Sequence, residues 1–163
     1  MIDVYVNVNY ISWLISPESP SVNTPEFDRV SASLARQGMM QTLGVRLLRA
    51  ERGLVELALP YSDKVTQQQG GFHGGAMGAL ADIAGGYAAL TVLPQDNEVV
   101  TVEYKVNFLA SFQGGEIRAI GRVTKGGKRI VVTTAEVTHI DDSGKQSACA
   151  VMQQTLVPVP KNY

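Results

Sequence analysis

One carboxylate stands alone in the most apolar part of the chain. Between Ala76 and Leu90 the only charged residue is Asp82, and an ionised carboxylate costs several kcal/mol to bury unless partners offset the loss of water. A poorly solvated carboxylate is also a reactive base or nucleophile. Asp82 is therefore predicted to be catalytic. The alternative is a structural carboxylate that accepts hydrogen bonds from the backbone of a neighbouring element.

Two glycines, Gly74 and Gly75, precede this segment at the point where a helix is predicted to begin. The first N–H groups of a helix lack intrahelical partners, and the helix dipole favours negative charge there. Because glycine has no side chain, an oxygen of a ligand can approach its backbone closely. Gly74 is predicted to stabilise an oxyanion, for which one donor is worth ~3 kcal/mol. Close helix–sheet packing or a tight turn is the alternative.

The spacing between the two candidate groups has a consequence for assembly. Asp82 lies eight residues after Gly74, which is roughly 12 Å along a helix that rises 1.5 Å per residue. One chain cannot bring both groups to the same carbonyl. If they serve one reaction, they come from two subunits, which predicts a homodimer with two equivalent sites.

The elements that position these groups follow from the pattern of the chain. The central helix is predicted to begin near His73 or Gly74 and to end before Pro94. A helix or helix pair is predicted from Thr24 to about Leu43, followed by two strands over residues 44–50 and 54–60 with a three-residue turn between them. Four further strands are predicted over residues 99–109, 115–124, 129–140 and 145–157. This order predicts the α+β class, with an antiparallel sheet wrapped around one long helix.

Two strands show alternation that predicts which residues share a face. In the strand over residues 54–60 the predicted buried face carries Val55, Leu57 and Leu59. In the strand over residues 99–109 a longer set is predicted to share one face: Val100, Val102, Tyr104, Val106 and Phe108.

Composition narrows the possible functions. The formal net charge is −1, so no charge excess points to nucleic acid or an anionic membrane. The chain has a single cysteine, Cys149, which excludes an internal disulfide and fits a reducing cytoplasm. It has only two histidines, too few to favour a His-rich metal site. Residues 72–93 are long enough to span a membrane, but their glycines and Asp82 favour a helix surrounded by protein.

The first 23 residues lack the positive region of a signal peptide. Val4, Val6 and Val8 alternate with polar residues, which is typical of an edge strand, but Pro17 and Pro20 follow in a linker-like stretch. We predict an N-terminal extension over residues 1–23 and a single domain over residues 24–163.

The central motif consists of Gln67, the run His73-Gly74-Gly75-Ala76, and Asp82. It resembles the hotdog-fold acyl-CoA thioesterases, and most closely the phenylacetic-acid-degradation type, over residues 44–157. The resemblance implies a hotdog fold, an acyl-CoA substrate, no metal or redox cofactor, and sites at the interface of a homodimer that assembles further into a dimer of dimers. It also implies that Gln67 holds the thioester carbonyl or the water, although Gln68 and Gln69 leave this assignment open.

Other residues receive supporting roles. Thr101 is predicted, by the same resemblance, to position water, and Gly75 to contact the substrate. His73 either orients the loop through a hydrogen bond, which we favour, or acts in acid–base chemistry. Three basic residues flank the glycines of a predicted turn and are candidates for the phosphates of coenzyme A, unless they are merely solvated: Lys125, Lys128 and Arg129.

The acyl group is constrained weakly. Gly85 and Gly86, close to Asp82, are expected to leave room for a bulky acyl group, aromatic or of medium chain length. Direct attack by Asp82 and general-base catalysis remain open. So do two other functions, a hydratase that pairs His73 with Asp82 and a non-catalytic acyl-CoA-binding module.

Overall fold

Helices and strands occur in the order predicted from the sequence. The structure is a computed structural model, and it describes residues 24–162. The elements are α1 (Pro25–Leu34), α2 (Gly38–Leu43), β1 (Arg46–Glu51), β2 (Leu54–Pro60), α3 (Gly74–Leu90), β3 (Asn97–Phe108), β4 (Glu116–Lys125), β5 (Val131–Ile140) and β6 (Gln146–Pro160). The predicted extension over residues 1–23 lies outside the described residues.

The strands form one antiparallel sheet in the order β1-β2-β4-β5-β6-β3. Helix α3 contacts β2, β3, β4, β5 and β6. A single helix can reach five of six strands only when the sheet curves around it. This is the hotdog fold of the α+β class, as predicted.

Burial of α3 explains its apolar sequence. Eleven of its 17 residues are buried, so the helix is enclosed by protein on most sides, as expected. The closest approach is at Gly121 of β4, where a Cβ atom would overlap the carbonyl oxygen of Ala84. Only glycine allows the strand to pass the helix there. Among residues 24–162, no helix is both long and apolar enough to cross a membrane.

The two short helices pack at one end of the molecule. Thr24 caps α1, as predicted, by accepting the N–H of Phe27 at 3.0 Å. Arg29 of α1 ties this helix to the end of α3, because its guanidinium donates to the carbonyls of Leu90, Leu93, Pro94 and Asn97 at 2.8–3.0 Å. The carbonyl of Leu90, the last residue of the central helix, therefore has a side-chain partner.

The hairpin before α3 is tighter than predicted. Glu51 pairs with Leu54, so the turn contains two residues, Arg52 and Gly53, rather than three. Gly53 adopts φ 80°, a value that glycine tolerates without strain. In β2 the predicted inward residues Val55, Leu57 and Leu59 are fully buried.

The predicted face of β3 is wrong for two of its five residues. The pairing of β3 with β6 shifts between Thr101 and Glu103, which makes Val102 a β-bulge. A bulge adds one residue and reverses the alternation that follows it. Tyr104, Val106 and Phe108 consequently face the helix and core, whereas Val100 and Val102 do not.

Candidate active site

Asp82 projects from the middle of α3 and is half-buried. Its Oδ1 atom accepts two hydrogen bonds, one from Thr101 Oγ1 and one from Gln154 Nε2, each at 2.8 Å. Within residues 24–162, Oδ2 accepts no hydrogen bond. Oδ1 is thus held by two hydrogen-bond donors, while the lone pairs of Oδ2 are free to accept hydrogen bonds from a ligand or water.

Thr101 reaches Asp82 because of the bulge in β3. Thr101 and Tyr104 are separated by an odd number of positions, yet both face α3, since the extra residue Val102 lies between them. Without the bulge, a strand that placed Tyr104 toward the helix would turn Thr101 away from it. Thr101 was predicted to position water, and it directly contacts the candidate base.

Gln154 was not predicted from the sequence. It lies on β6, where its side chain is 1% exposed. The signal that could have revealed it is the alternation of Ala150, Met152, Gln154 and Leu156 on one buried face of the strand. One amide among apolar residues on such a face requires a buried polar partner, and Asp82 is that partner.

The two glycines at the N-terminus of α3 differ in the hydrogen bonding of their N–H groups. His73 is the N-cap residue, and its Nδ1 atom accepts the N–H of Gly75 at 2.8 Å. The N–H of Gly74 has no acceptor among the described residues. The loop-orienting interpretation of His73 therefore agrees with its contact, and Gly74 retains the unpaired donor that oxyanion stabilisation requires.

Gly74 lies under an aromatic side chain. A Cβ atom at this position would come within 3.1 Å of Cζ of Phe108 on β3. Close packing, the alternative stated for this glycine, is thus also satisfied here. The two interpretations are compatible, because the packing involves the Cα and the oxyanion would use the N–H.

Gln67 lies in the loop before α3, away from contact with Asp82. Its Oε1 accepts the N–H of Gln69, and its backbone bonds to Gly70 and Gly71. Within residues 24–162, no hydrogen bond joins Gln67 to Gly74 or Asp82. The side chain stands at the same end of α3 as Gly74, and the neighbouring Gln68 and Gln69 are exposed.

Of the three basic candidates, Lys125 ends β4, whereas Lys128 and Arg129 lie in the turn between β4 and β5, and all three are exposed. Lys128 borders a groove of about 680 Å³ at the far end of α3, together with Arg52 and an apolar floor that includes Leu93 and Pro158. Lys125 and Arg129 do not border this groove. The structure therefore associates Lys128 with Arg52, which was not predicted.

The two glycines after Asp82 differ sharply. A Cβ atom at Gly85 would overlap Oε1 of Gln154 and lie 2.7 Å from Oγ1 of Thr133. Gly85 therefore leaves no room for an acyl group, and that prediction is wrong. A Cβ atom at Gly86 would meet only Leu156, at 3.8 Å, so space remains beside this residue.

Two further polar groups lie apart from the site. Tyr87 is the only other polar side chain of α3, and its hydroxyl bonds to Gln37 and Ser33, at 2.7 and 3.2 Å. Cys149 is fully buried, its thiol contacts the carbonyl of Val137, and burial raises the pKa of this thiol to about 11.

Known proteins resemble both the sequence and the fold. The sequence profile described as "Thioesterase superfamily" matches residues 69–145. The 1,4-dihydroxy-2-naphthoyl-CoA hydrolase of Listeria monocytogenes is 31% identical over 101 residues, which cover 62% of this chain and 82% of that protein. The protein SSO2140 of Saccharolobus solfataricus is 35% identical over 109 residues, or 67% of this chain and 76% of its own.

Two solved structures extend the comparison. A thioesterase family protein from Silicibacter pomeroyi is 38% identical, with a TM-score of 0.80 over 83% of this chain and 99% of its own. The E. coli PaaI protein from the phenylacetic acid degradation operon has a TM-score of 0.74 over 84% of this chain and 95% of its own. At 19% identity, this second likeness concerns the fold alone.

Proposed function

Because the chain belongs to the thioesterase superfamily, we propose that it hydrolyses an acyl-CoA thioester to the free acid and CoA. The observation that carries this proposal is the state of Asp82, whose Oδ1 is held by two donors while Oδ2 accepts no hydrogen bond within residues 24–162. A carboxylate fixed in this way is ready to activate water or to attack a carbonyl.

In the proposed reaction, the thioester carbonyl accepts the N–H of Gly74. This donor is available because His73 engages the next N–H group, that of Gly75. As the carbonyl carbon becomes tetrahedral, negative charge grows on its oxygen, and a preorganised donor stabilises that charge more than it stabilises the ground state. Gln67, at the same end of α3, helps to hold the carbonyl or the water.

Asp82 of the partner subunit provides the base or nucleophile. Gly74 and Asp82 of one chain lie eight residues apart on α3, roughly 12 Å at 1.5 Å per residue. That separation is too large for one carbonyl, so the site is proposed to form between two chains. Of the two edge strands, β1 and β3, we assign the second copy to β3, because it carries Thr101. Further pairing into a homotetramer is part of the same proposal.

The substrate is proposed to have an aromatic or medium-chain acyl group. The open space beside Gly86 and Leu156 supports this, and so does the likeness to the Listeria hydrolase, whose name specifies a naphthoyl group. Lys125, Lys128 and Arg129 are proposed to meet the phosphates of CoA, with Lys128 best placed because it borders the groove at the end of α3. The reaction needs no metal or redox cofactor, and the single cysteine keeps the cytoplasm as the proposed location.

Release of free thiol from a panel of aromatic and aliphatic acyl-CoAs tests the proposal. We expect turnover with at least one saturated acyl-CoA. An enoyl-CoA incubated in parallel discriminates a hydratase, which would add water to the double bond without releasing thiol. Binding of acyl-CoA without turnover of any substrate in the panel would instead identify a binding module. Since the only cysteine is buried, a thiol reagent reports CoA with little background.

A further inference from the structure

The amide of Gln154, on β6, contacts the candidate base from the side of the sheet. Its Nε2 atom lies 2.8 Å from Oδ1 of Asp82, 3.4 Å from the carbonyl oxygen of Asp82 and 3.3 Å from Oγ1 of Thr101. The carboxylate and the carbonyl can only accept hydrogen bonds. The hydrogen-bonding partners therefore determine the orientation of the amide, with its nitrogen toward Asp82 and its oxygen away from it.

The opposite end of the same amide has no partner. Within residues 24–162, Oε1 of Gln154 accepts no hydrogen bond, and neither does the nearby Oγ1 of Thr133, although Gln154 is 1% and Thr133 0% exposed. An unpaired buried acceptor lowers stability. An apolar side chain would avoid that loss, so stability alone does not account for glutamine at this position.

The helix is shaped to admit the amide. Gly85 lies directly above Oε1, where any Cβ atom would overlap it. A glycine inside a helix lowers stability relative to alanine. Two unfavourable features, an unpaired acceptor and a helical glycine, therefore coincide at the one side chain of β6 that touches Asp82.

We propose that Gln154 is a positioning residue, which fixes Oδ1 of Asp82 so that Oδ2 alone faces the substrate and the attacking water. This inference rests on the proposed function. Thr101 shares the task from β3, and the two donors hold the carboxylate from two strands. A carboxylate held by one donor can rotate about its last bond, and the base then spends less time in line with the water.

The test compares Gln154→Met with Thr133→Val. Both changes remove a buried polar group beneath Gly85, but only Gln154 touches Asp82. For Gln154→Met we expect kcat to fall by about 10- to 100-fold, with KM unchanged and a melting temperature no lower than that of the parent. For Thr133→Val we expect kcat to stay at the parental value.

Coupling to Asp82 provides a second readout. In an Asp82→Asn background, Gln154→Met should lower the remaining activity no further, because a residue that acts through another has no effect once that other is removed. An additive loss would show that Gln154 supports the core in general and would overturn the proposal.

Other outcomes would also overturn it. They are a folded Gln154→Met variant with parental kcat, and equal losses of kcat in Gln154→Met and Thr133→Val. If Gln154→Met fails to fold, Gly85→Ala displaces the amide without changing its chemistry, and parental kcat in that variant is equally decisive against the proposal. A parent protein that releases thiol from no acyl-CoA overturns the proposed function and this inference together, whereas an active parent with an equally active Gln154→Met overturns only the inference.

Discussion

The two edges of the sheet are built very differently. Strand β1 has six residues, among them Arg46, Arg49 and Glu51, and it contacts α1, whose cap Thr24 donates to the carbonyl of Ala50 at 2.9 Å. Strand β3 has 12 residues and exposes four large apolar side chains, those of Val100, Val102, Tyr104 and Phe108, at 46–60% each. Both edges contain a bulge, at Leu48 in β1 and at Val102 in β3.

This contrast indicates which edge would receive a second chain in the proposed dimer. Short strands, charged side chains and a covering helix are the usual means by which an edge avoids pairing with a second chain. The β1 edge has all three. The β3 edge is long and apolar, and it carries Thr101, the partner of Asp82. The edge that has fewer of these protective features and the edge that bonds to the candidate base are thus the same one.

The largest effect is expected for a change of Asp82, whose carboxylate bonds to Thr101 of β3. Asp82→Asn removes the charge and the basicity but keeps the shape, so we expect kcat to fall about 1000-fold. Binding of acyl-CoA and the oligomeric state should remain, because neither depends on proton transfer. Steady-state kinetics with the best substrate, together with a binding isotherm, measure both. Turnover equal to that of the parent would remove Asp82 from the mechanism.

Matched lysines at the two bulges compare the edges directly. Val102→Lys introduces an ammonium where we expect a second chain, and desolvation of that charge costs several kcal/mol. The dissociation constant of the dimer should rise about 100-fold or more, with loss of activity at low protein concentration. Leu48→Lys, at the bulge of the other edge, should leave the dimer and its activity intact.

Light scattering after size-exclusion chromatography gives the mass of each lysine variant, and activity measured against protein concentration gives the dissociation constant. Equal behaviour of the two variants would show that the edges do not differ in function.

A smaller effect is expected for Arg29, which attaches α1, the helix beside the β1 edge, to the end of α3. Arg29→Met removes the donor that serves four carbonyls near the end of α3. We expect a loss of about 2 kcal/mol in the free energy of unfolding, seen as a lower midpoint in chemical denaturation. The kcat value should not change, because this end of α3 is remote from Asp82. A large fall in kcat at full stability would contradict the separation of the two regions.

The smallest effect concerns Cys149 on β6, the strand that pairs with β3. The carbonyl of Cys149 accepts the N–H of Leu109 at 2.9 Å, and burial raises the pKa of its thiol from 9.0 to about 11. The unfolded chain therefore loses this proton first as the pH rises. The stability contributed by the protonated thiol is present below pH 9 and falls between pH 9 and about 11, by no more than about 3 kcal/mol.

Chemical denaturation across that pH range, with Cys149→Ala as the control, isolates the thiol from other groups that titrate there. The control should show the shallower decline. Identical slopes would mean that folding does not raise the pKa of the thiol. Rapid labelling of the native thiol at pH 8 would mean that β6 opens readily beside β3.

Much of this arrangement follows from sequence. Asp82 could be identified because a lone carboxylate in an apolar helix needs a reason, and the beginning of α3 could be identified because His73 and the glycines after it are typical of a helix start. The long helix, the hairpin and the four later strands follow from periodicity and turn residues. These features are local, so a single stretch of sequence contains their cause.

The rest depends on how distant segments meet. The face of Val100 was predicted wrongly because a bulge is set by the pairing of β3 with β6, which no local pattern reveals. Gly85 was predicted to leave space, yet Gln154 occupies it from a strand 69 positions later in the chain. The role of Gln154 itself needs both the inward face of β6 and its position beneath Asp82 to be known.

The central claim is that each site combines Gly74 of one chain with Asp82 of another, and a mixed dimer tests it most directly. Gly74→Pro removes the N–H at the cost of an added ring, and proline suits the first position of a helix because the preceding residue, His73, is already extended at ψ 135°. Phe108, which is exposed, has room to shift away from the new ring. The second variant is Asp82→Asn.

Each variant alone should be nearly inactive. If the two are co-expressed with different tags and the mixed dimer is purified, one of its two sites contains both an intact Gly74 and an intact Asp82. We expect the mixed dimer to recover about half of the parental kcat per dimer. A mixed dimer as inactive as its two parents would contradict the shared site.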